Sequence, residues 1–461
     1  MLKTGYERYI DLRPQNQAGA RPPARSVAFD LLRAVLRKGT PLDEALKAHR
    51  GFGLLPVSDR GFARLLAAVT LRRLGQIDRI LAGRVTKPLP ARASAVWDAL
   101  RLGVAQICFV ETKPHAAVDT TVDLVRARGH DSYAGLTNAV LRGLVRDNAN
   151  LGAPEDNLPD WLRASWRAAY GAETTAAIAA ALMREPTLDL TVRDNPTAVA
   201  ASLGGTVLMA ESVRVPLTGN IPDLPGYDDG AWWVQDAAAA LPVRLLGDLA
   251  GRRVIDLCAA PGGKTAQLCQ SGAEVLAIDR AAKRLTRLRE NLTRLGLSAA
   301  TEVADATTWR PKAPVDAVLL DAPCSATGTI RRHPDILHLK APGDIARLVD
   351  LQTRLLANAA EMVKPGGQLM YCTCSLQPEE GEARVAAFLA ERPDWRRAPI
   401  AAGEIAGGGA WLTADGDLRT LPSHLPDAGG LDGFYAARLT RRAAAVGGGA
   451  PLKRARIPVN D

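Results

Sequence analysis

The chain has 461 residues, 47% hydrophobic and 23% charged, which excludes a mainly disordered chain, a collagen and a small disulfide scaffold. Its net charge of +9 is uneven: residues 1–150 hold 24 Lys and Arg against 13 Asp and Glu, a net +11, and the other 311 residues hold 34 against 36, a net −2. About 100–200 residues per domain predicts roughly three domains, with a polyanion-binding module first.

No uninterrupted apolar run approaches the ~18 residues of a membrane span. The opening MLKTGYERYIDLRP carries charges where a secretory signal needs an apolar segment. Six cysteines in such a chain read as reduced thiols. The expectation is a soluble, cytoplasmic protein with no membrane partner.

Residues 1–22 are polar with scattered Gly and Pro. From 23 to 150 apolar residues recur at helical spacing: Leu31, Leu32, Val35 and Leu36, then Phe62, Leu65, Leu66 and Val69, then Leu136, Val140, Leu141 and Leu144. Thr40 before Pro41, and Ser58-Asp59, mark helix starts. An all-α domain follows. The segments SDRGFARLLAAVTLRRLGQID, VWDALRLGVAQICFVE, HAAVDTTVDLV and LTNAVLRGLVRDN, in that order, resemble the NusB-like RNA-binding domain. The resemblance implies a helical bundle with a basic RNA-contacting face, in keeping with the local +11.

Residues 151–245 open with amphipathic helix around Trp161, Leu162, Trp166 and Tyr170. They turn strand-like at Leu188–Arg193 and are punctuated by Pro186, Pro196 and Gly204-Gly205. This is a small α+β linking module. After Arg441 the chain becomes a basic tail, with Lys453-Arg454-Ala455-Arg456.

Residues 246–440 alternate strand and helix, the pattern of an α/β, Rossmann-like parallel sheet. Val254–Leu257 is a buried strand running into Cys258-Ala259-Ala260-Pro261-Gly262-Gly263-Lys264. Val275–Asp279 is the next strand and ends in an acid; Leu285, Leu288, Leu292 and Leu295 form the core face of the following helix. Val315–Asp321 and Gln368–Cys374 are further strands, separated by a long helix around Ile345–Val363. Ligands of such sheets bind at the carboxyl ends of the strands. Collected there are the Gly262-Gly263 turn, Asp279, Asp321 with Pro323-Cys324-Ser325, and Thr373-Cys374-Ser375. Close backbone approach at paired glycines and an acid able to hold ribose hydroxyls suit a nucleoside cofactor. A dinucleotide enzyme loses support because G-x-G-x-x-G is absent. A P-loop would need glycine at 258, where Cys258 stands, and Pro261 removes an N–H from the phosphate cradle.

VIDLCAAPGGKTAQL, VDAVLLDAPCSATGTIRRHPDI and GGQLMYCTCSLQPEE resemble successive motifs of the S-adenosylmethionine-dependent RNA cytosine-C5 methyltransferases. The basic helical N-terminus narrows this to the Sun/Fmu type, which acts on 16S ribosomal RNA. The resemblance runs from about residue 23 to Leu439. It implies a class I methyltransferase domain, S-adenosylmethionine as cofactor, and 16S RNA or a partly assembled small subunit as partner.

Cytosine C5 is a poor nucleophile. A thiolate adding at C6 makes C5 enamine-like, so that it accepts a methyl group before the thiolate leaves. Cys324 and Cys374 both end strands within reach of one base, and spacing alone leaves their roles open. The resemblance implies that Cys374 is the nucleophile, that Cys324 assists product release, and that Asp321 hydrogen-bonds the base. It also implies a cofactor loop of Cys258, Ala259, Ala260, Pro261, Gly262, Gly263 and Lys264, with Asp279 on the ribose, Asp305 near the adenine and Asp321 near the methionine end. Lys264 has two further possible roles, on a substrate phosphate or orienting Asp321. Arg193, in Arg193-Asp194-Asn195, fits the family's R-x-N motif; Arg331 and Arg332, after the Pro-Cys-Ser loop, are expected on RNA phosphates. Cys258, Cys269 and Cys108 read as small buried residues. Cys372 and Cys374 form a C-x-C, yet no His cluster completes a metal site, so none is expected. The chain departs from the family pattern at Cys372, where a small non-thiol residue is more usual, and at Gly381, where Asn is usual. A non-catalytic RNA-binding assembly or antitermination factor and a transfer-RNA methyltransferase are the competing functional readings.

Overall fold

The computed structural model describes residues 23–110, 112–147, 150–216, 219–405 and 408–443. The N-terminal 1–22 and nearly all of the expected 441–461 tail lie outside these. The first stretch is helical, as its apolar spacing predicts: Ala24–Lys38, Leu42–Ala48, Val57–Arg72, Leu74–Ala82, Ser94–Cys108, Pro114–Ala127 and Ala134–Asp147 are the main helices. Leu31, Leu32, Val35, Leu66, Val140, Leu141 and Leu144 are all buried in one core. Gly39, at φ 67°, stops the first helix, its N–H donating to Val35 O.

The helices expected to start at Thr40 and Ser58-Asp59 begin at Leu42 and Val57, each behind a proline without a side-chain cap. The donor at Leu42 is instead met by Asp335, 2.9 Å away and 293 residues later. Residues His333–Lys340 pack within this helical unit, which otherwise runs to Arg163. His338 Nε2 lies 2.8 Å from Leu71 O, and burial lowers its basicity. Part of the local positive charge is spent within the unit. Asp98 is fully buried, with Arg33 at 3.3 Å and Arg37 and Arg101 at 2.9 Å.

The second unit takes Ala164–Arg332 and the chain from Ala341. The α+β module expected at 151–245 is a four-stranded antiparallel sheet: β1 (Leu188–Val192), β2 (Thr206–Met209), β3 (Ser212–Val215) and β4 (Trp232–Val234), ordered β2-β3-β1-β4. It does not stand apart as a separate module. Arg214 of β3 donates to Gly430 O at 2.7 Å and Arg193 to Leu295 O at 2.5 Å, tying this sheet to the α/β part of the same unit.

That part is an eight-stranded sheet. Its strands are β5 (Arg253–Leu257), β6 (Glu274–Asp279), β7 (Ala300–Val303), β8 (Val315–Asp321), β9 (Val363–Thr373), β10 (Trp395–Arg397), β11 (Leu418–Thr420) and β12 (Phe434–Arg441). The order is β10-β12-β9-β8-β5-β6-β7, with β11 also on β12. β7, β6, β5, β8 and β9 run parallel; β12 pairs antiparallel with β9. Near-continuous burial along β5, β6 and β8 is what a parallel sheet covered on both faces requires. The helix Ala282–Arg294 buries Leu285, Leu288 and Leu292, followed by Leu295. Among the described residues no helix is long and apolar enough to cross a membrane.

Candidate active site

The order of strands reverses at β5, so a crevice opens above the carboxyl ends of β5 and its neighbours. The loop Cys258–Lys264 fills the turn from β5 into the helix Gly263–Gln270. Gly262 adopts φ 105°, and a Cβ there would stand 2.8 Å from Leu288 Cγ; only glycine suits this turn. The Ala260-Pro261 peptide is cis. A cleft of ≈ 500 Å³ is lined by Ala259–Lys264, Trp233, Gln235, Asp256, Asp321 and Arg332. Cys258, Asp279, Asp305, Cys324 and Cys374 are not in that lining.

Asp279 ends β6, nearly buried. Its Oδ2 accepts from Ala260 N at 3.2 Å and its Oδ1 from Ala281 N at 2.9 Å, with Arg284 3.3 Å away. Asp305 is exposed and held in its own turn, accepting from Thr307 N at 2.9 Å and Thr307 Oγ1 at 2.7 Å, bonds that lower its pKa. Cys258, with φ 61°, is pushed up to about 12 by burial and the carboxylates of Asp321, Asp279 and Asp256. It stays a protonated thiol.

Lys264 Nζ donates to Asp321 Oδ2 at 2.8 Å. Burial opposes its charge, but Asp321 and the sulfurs of Cys372 and Cys374 together raise its pKa. Cys372 Sγ lies 3.7 Å from Asp321 Oδ1; this unusual cysteine sits beneath the aspartate. Asp256, in the middle of β5, was not among the sequence candidates. Burial pushes its carboxyl up to about 7; Thr265 Oγ1 donates to Oδ2 at 2.6 Å, while Oδ1 is buried without a protein partner. An acid inside the apolar strand Val254–Leu257 was the signal for it.

The two candidate cysteines meet. Cys324, three residues past β8, and Cys374, one past β9, hold their sulfurs 3.4 Å apart. Their parallel strands are in register, Asp321 opposite Cys372, so both turns leave the sheet at the same edge. The hydrogen bond to Cys374, then burial, then the Cys374 charge and the Glu380 carboxylate, raise Cys324 well above the ordinary thiol range. Lys264 and Arg332 also lie close enough to Cys374 for it to contribute to raising their pKa values.

The three arginines expected on RNA are placed differently. Arg331 is fully buried, donating to Asp236 Oδ2 at 3.0 Å, Asp432 Oδ1 at 3.5 Å and Gly429 O at 3.2 Å. The structure thus corrects the phosphate-contact reading of Arg331: two buried carboxylates claim its charge. Arg332 donates through Nε to Asp432 Oδ2 at 2.8 Å, and its side chain remains 35% exposed at the cleft. Arg193 is half-buried on Leu295 O.

Strand order, glycine loop and the acid at the end of β6 define a class I methyltransferase fold, with two thiols paired above β8 and β9. Residues 244–440 match the family model described as 16S rRNA methyltransferase RsmB/F, and residues 22–146 match that of the NusB family. The chain is 36% identical to ribosomal RNA small subunit methyltransferase B of Sodalis glossinidius, over 90% of this chain and 97% of that one. It is also 36% identical to the protein of that name from Pseudomonas putida, over 92% and 99%. Among solved structures, PH0851 superposes with a TM-score of 0.70 at 23% identity, covering 92% of this chain and all of that one, a likeness of fold. This chain belongs to the RsmB/F family of 16S rRNA methyltransferases.

Proposed function

We propose that this chain methylates C5 of a cytidine in 16S ribosomal RNA, using S-adenosylmethionine and Cys374 as nucleophile. The observation that carries the reading is the 3.4 Å contact between Cys374 and Cys324 beside the Lys264–Asp321 pair. The carboxyl ends of β5, β6 and β8 suit the cofactor: Gly262, at φ 105° and packed against Leu288, shapes a loop that no other residue would fit, and Asp256 Oδ1 lies buried with its acceptor capacity unspent. The loop Cys258–Lys264, Asp279, Asp305 and Asp321 would hold it. When bound, the cofactor supplies an electrophilic methyl group on a sulfonium.

This chain's own groups do the rest. Cys374, near the cations of Lys264 and Arg332, adds its sulfur to C6 of the cytosine. Asp321, held by Lys264, hydrogen-bonds the polar edge of the ring and stabilises it as it gains electron density. C5 then takes the methyl group, loses its proton to a base, and the C6–S bond breaks to restore aromaticity. Cys324 sits where it can act in that last phase, its sulfur next to the one that must leave. Arg332 is the arginine of the Pro-Cys-Ser loop with guanidinium surface left for a phosphate. The exposed cations of the helical unit, among them Arg50, Arg64 and Arg92, would supply salt-dependent RNA affinity.

Incubation with methyl-labelled S-adenosylmethionine and 16S RNA, naked or in a partly assembled subunit, should transfer label to cytosine C5. Cys374→Ala should abolish transfer and any covalent RNA complex. Cys324→Ala should accumulate a covalent complex that survives denaturant. The reverse pattern would exchange the two roles, and no transfer by the wild type to either substrate would leave an RNA-binding factor.

A further inference from the structure

Directly behind the two sulfurs lies a buried carboxylate, Glu380, which the chemistry above does not use. It is 0% exposed and follows Pro378-Glu379, six residues after Cys374. Four donors converge on it. Ser325 N donates to Oε1 at 2.9 Å, and Gln352 Nε2 to the same oxygen at 3.0 Å. Ser375 Oγ donates to Oε2 at 2.6 Å, and Ser325 Oγ bonds Oε2 as well. Ser325 and Ser375 are the residues immediately after Cys324 and Cys374.

Hydrogen counting makes the arrangement specific. A carboxylate only accepts, and each serine hydroxyl has one proton to give. With both protons directed at Oε2, the two hydroxyl oxygens are drawn to 3.0 Å from each other. Ser375 Oγ still accepts from Gln377 N at 2.9 Å, and Thr327 Oγ1 from Leu376 N at 2.9 Å. Gln352 also donates to Pro323 O at 2.9 Å, reaching the residue before Cys324. One carboxylate thus fixes both cysteine-bearing turns.

The position after it explains a departure from the family pattern. A Cβ on Gly381 would stand 2.7 Å from Arg419 Nη2 and 2.9 Å from the Tyr435 ring. Glycine here leaves room for Arg419, which donates to Ser375 O at 2.5 Å and pairs with Glu382. The nucleophile's turn is held from its carbonyl as well as from its serine hydroxyl.

We infer that Glu380 is a positioning residue that sets the spacing of Cys374 and Cys324 by clamping Ser375 and Ser325. The inference rests on the catalytic reading for its effect on turnover, but not for its geometry. Full-length Glu380→Ala and Glu380→Gln, with Ser325→Ala and Ser375→Ala, test it. Circular dichroism and cofactor affinity establish that each variant is folded, and Glu380→Gln, nearly isosteric, decides the matter should Glu380→Ala not fold.

The first readout is oxidation by diamide. Each thiol gives up one electron and one proton to the reagent's N=N bond, and an S–S bond forms between Cys324 and Cys374, mapped by mass spectrometry. Its rate should fall about tenfold in Glu380→Ala and by a smaller factor in Glu380→Gln, because the sulfurs lose their fixed approach. The second readout is turnover: kcat should fall at least about tenfold while KM for cofactor and RNA changes less than roughly threefold. Ser325→Ala and Ser375→Ala should each lower kcat, with little further loss when combined with Glu380→Ala. Folded variants that crosslink and turn over at wild-type rates would overturn the inference. Cys374→Ala separates the two claims: continued methyl transfer by that variant removes the nucleophile reading, and the crosslinking rates still decide whether Glu380 sets the spacing.

Discussion

Replacing Arg331 by methionine tests the reading that this arginine holds the fold together and does not bind RNA. In the wild type its guanidinium lies between Asp236 and Asp432, at 3.0 and 3.5 Å, with all three side chains nearly or fully buried. Burial and the Asp432 carboxylate already raise the Asp236 carboxyl above its ordinary value. Removing one partner of a buried ion pair costs about 3–5 kcal/mol, since the remaining charge stays desolvated. Arg332 still holds Asp432 at 2.8 Å, which places the cost near the low end, about 3 kcal/mol. At roughly 2–4 °C per kcal/mol, Tm should fall by roughly 6–12 °C at pH 8.

The pH dependence gives a second handle. With the guanidinium gone, one of the two carboxyls binds a proton more tightly in the folded state than in the unfolded chain. A carboxyl whose folded pKa is raised costs stability in full above that pKa, and the cost disappears as pH falls toward the unfolded value near ~4. The Tm deficit against wild type should therefore shrink from pH 8 to pH 5. Differential scanning fluorimetry at both values measures it. A variant within about 2 °C of wild type at pH 8, or a deficit that grows toward pH 5, refutes the buried-clamp assignment.

Asp256→Asn removes a buried carboxyl of pKa about 7. Raised by about 3 units, it costs the cofactor-free fold up to about 4 kcal/mol above pH 7, so the variant should melt higher than wild type at pH 8 and lose that advantage progressively as pH falls from about 7 toward about 4; a pH-independent difference contradicts the assignment. Gly262→Ala places a side chain at φ 105° and against Leu288, at a cost of about 1–3 kcal/mol. Calorimetric affinity for S-adenosylmethionine should drop by about tenfold or more, and unchanged affinity would show that the loop tolerates the side chain. Cys258 is held at about 12, and Cys108 and Cys269 at about 11. Iodoacetamide at pH 8 should therefore leave these three largely unalkylated in the folded protein; peptide mapping that finds one of them labelled as fast as an ordinary exposed thiol removes the argument.

Much of this molecule was legible in the linear chain because its signals are local. Burial of one helix face produced the spacing of Leu31, Leu32 and Val35, and coverage of a parallel sheet on both sides produced the apolar runs Val254–Leu257 and Val315–Asp321. The tight turn after β5 needed Gly262. The motifs around Cys324 and Cys374 placed both at strand ends, and the parallel register of β8 and β9 brings them together as that placement requires. Chain chemistry of this kind depends on neighbours a few residues away, so a one-dimensional reading captures it.

What escaped that reading are pairings between distant segments. In the linear chain Arg331 reads as a phosphate contact, yet Asp236 lies 95 residues before it and Asp432 101 residues after. The cap of the helix Leu42–Ala48 comes from Asp335, and Arg214 and Arg193 join the β1–β4 sheet to a unit assigned separately by sequence. Glu380 sits among ordinary charged residues and becomes a clamp only because folding brings two serines, 50 residues apart, onto one carboxylate. Burial turns such groups from solvated charges into obligatory hydrogen-bond partners, and burial is a property of the packed chain, decided when distant segments meet.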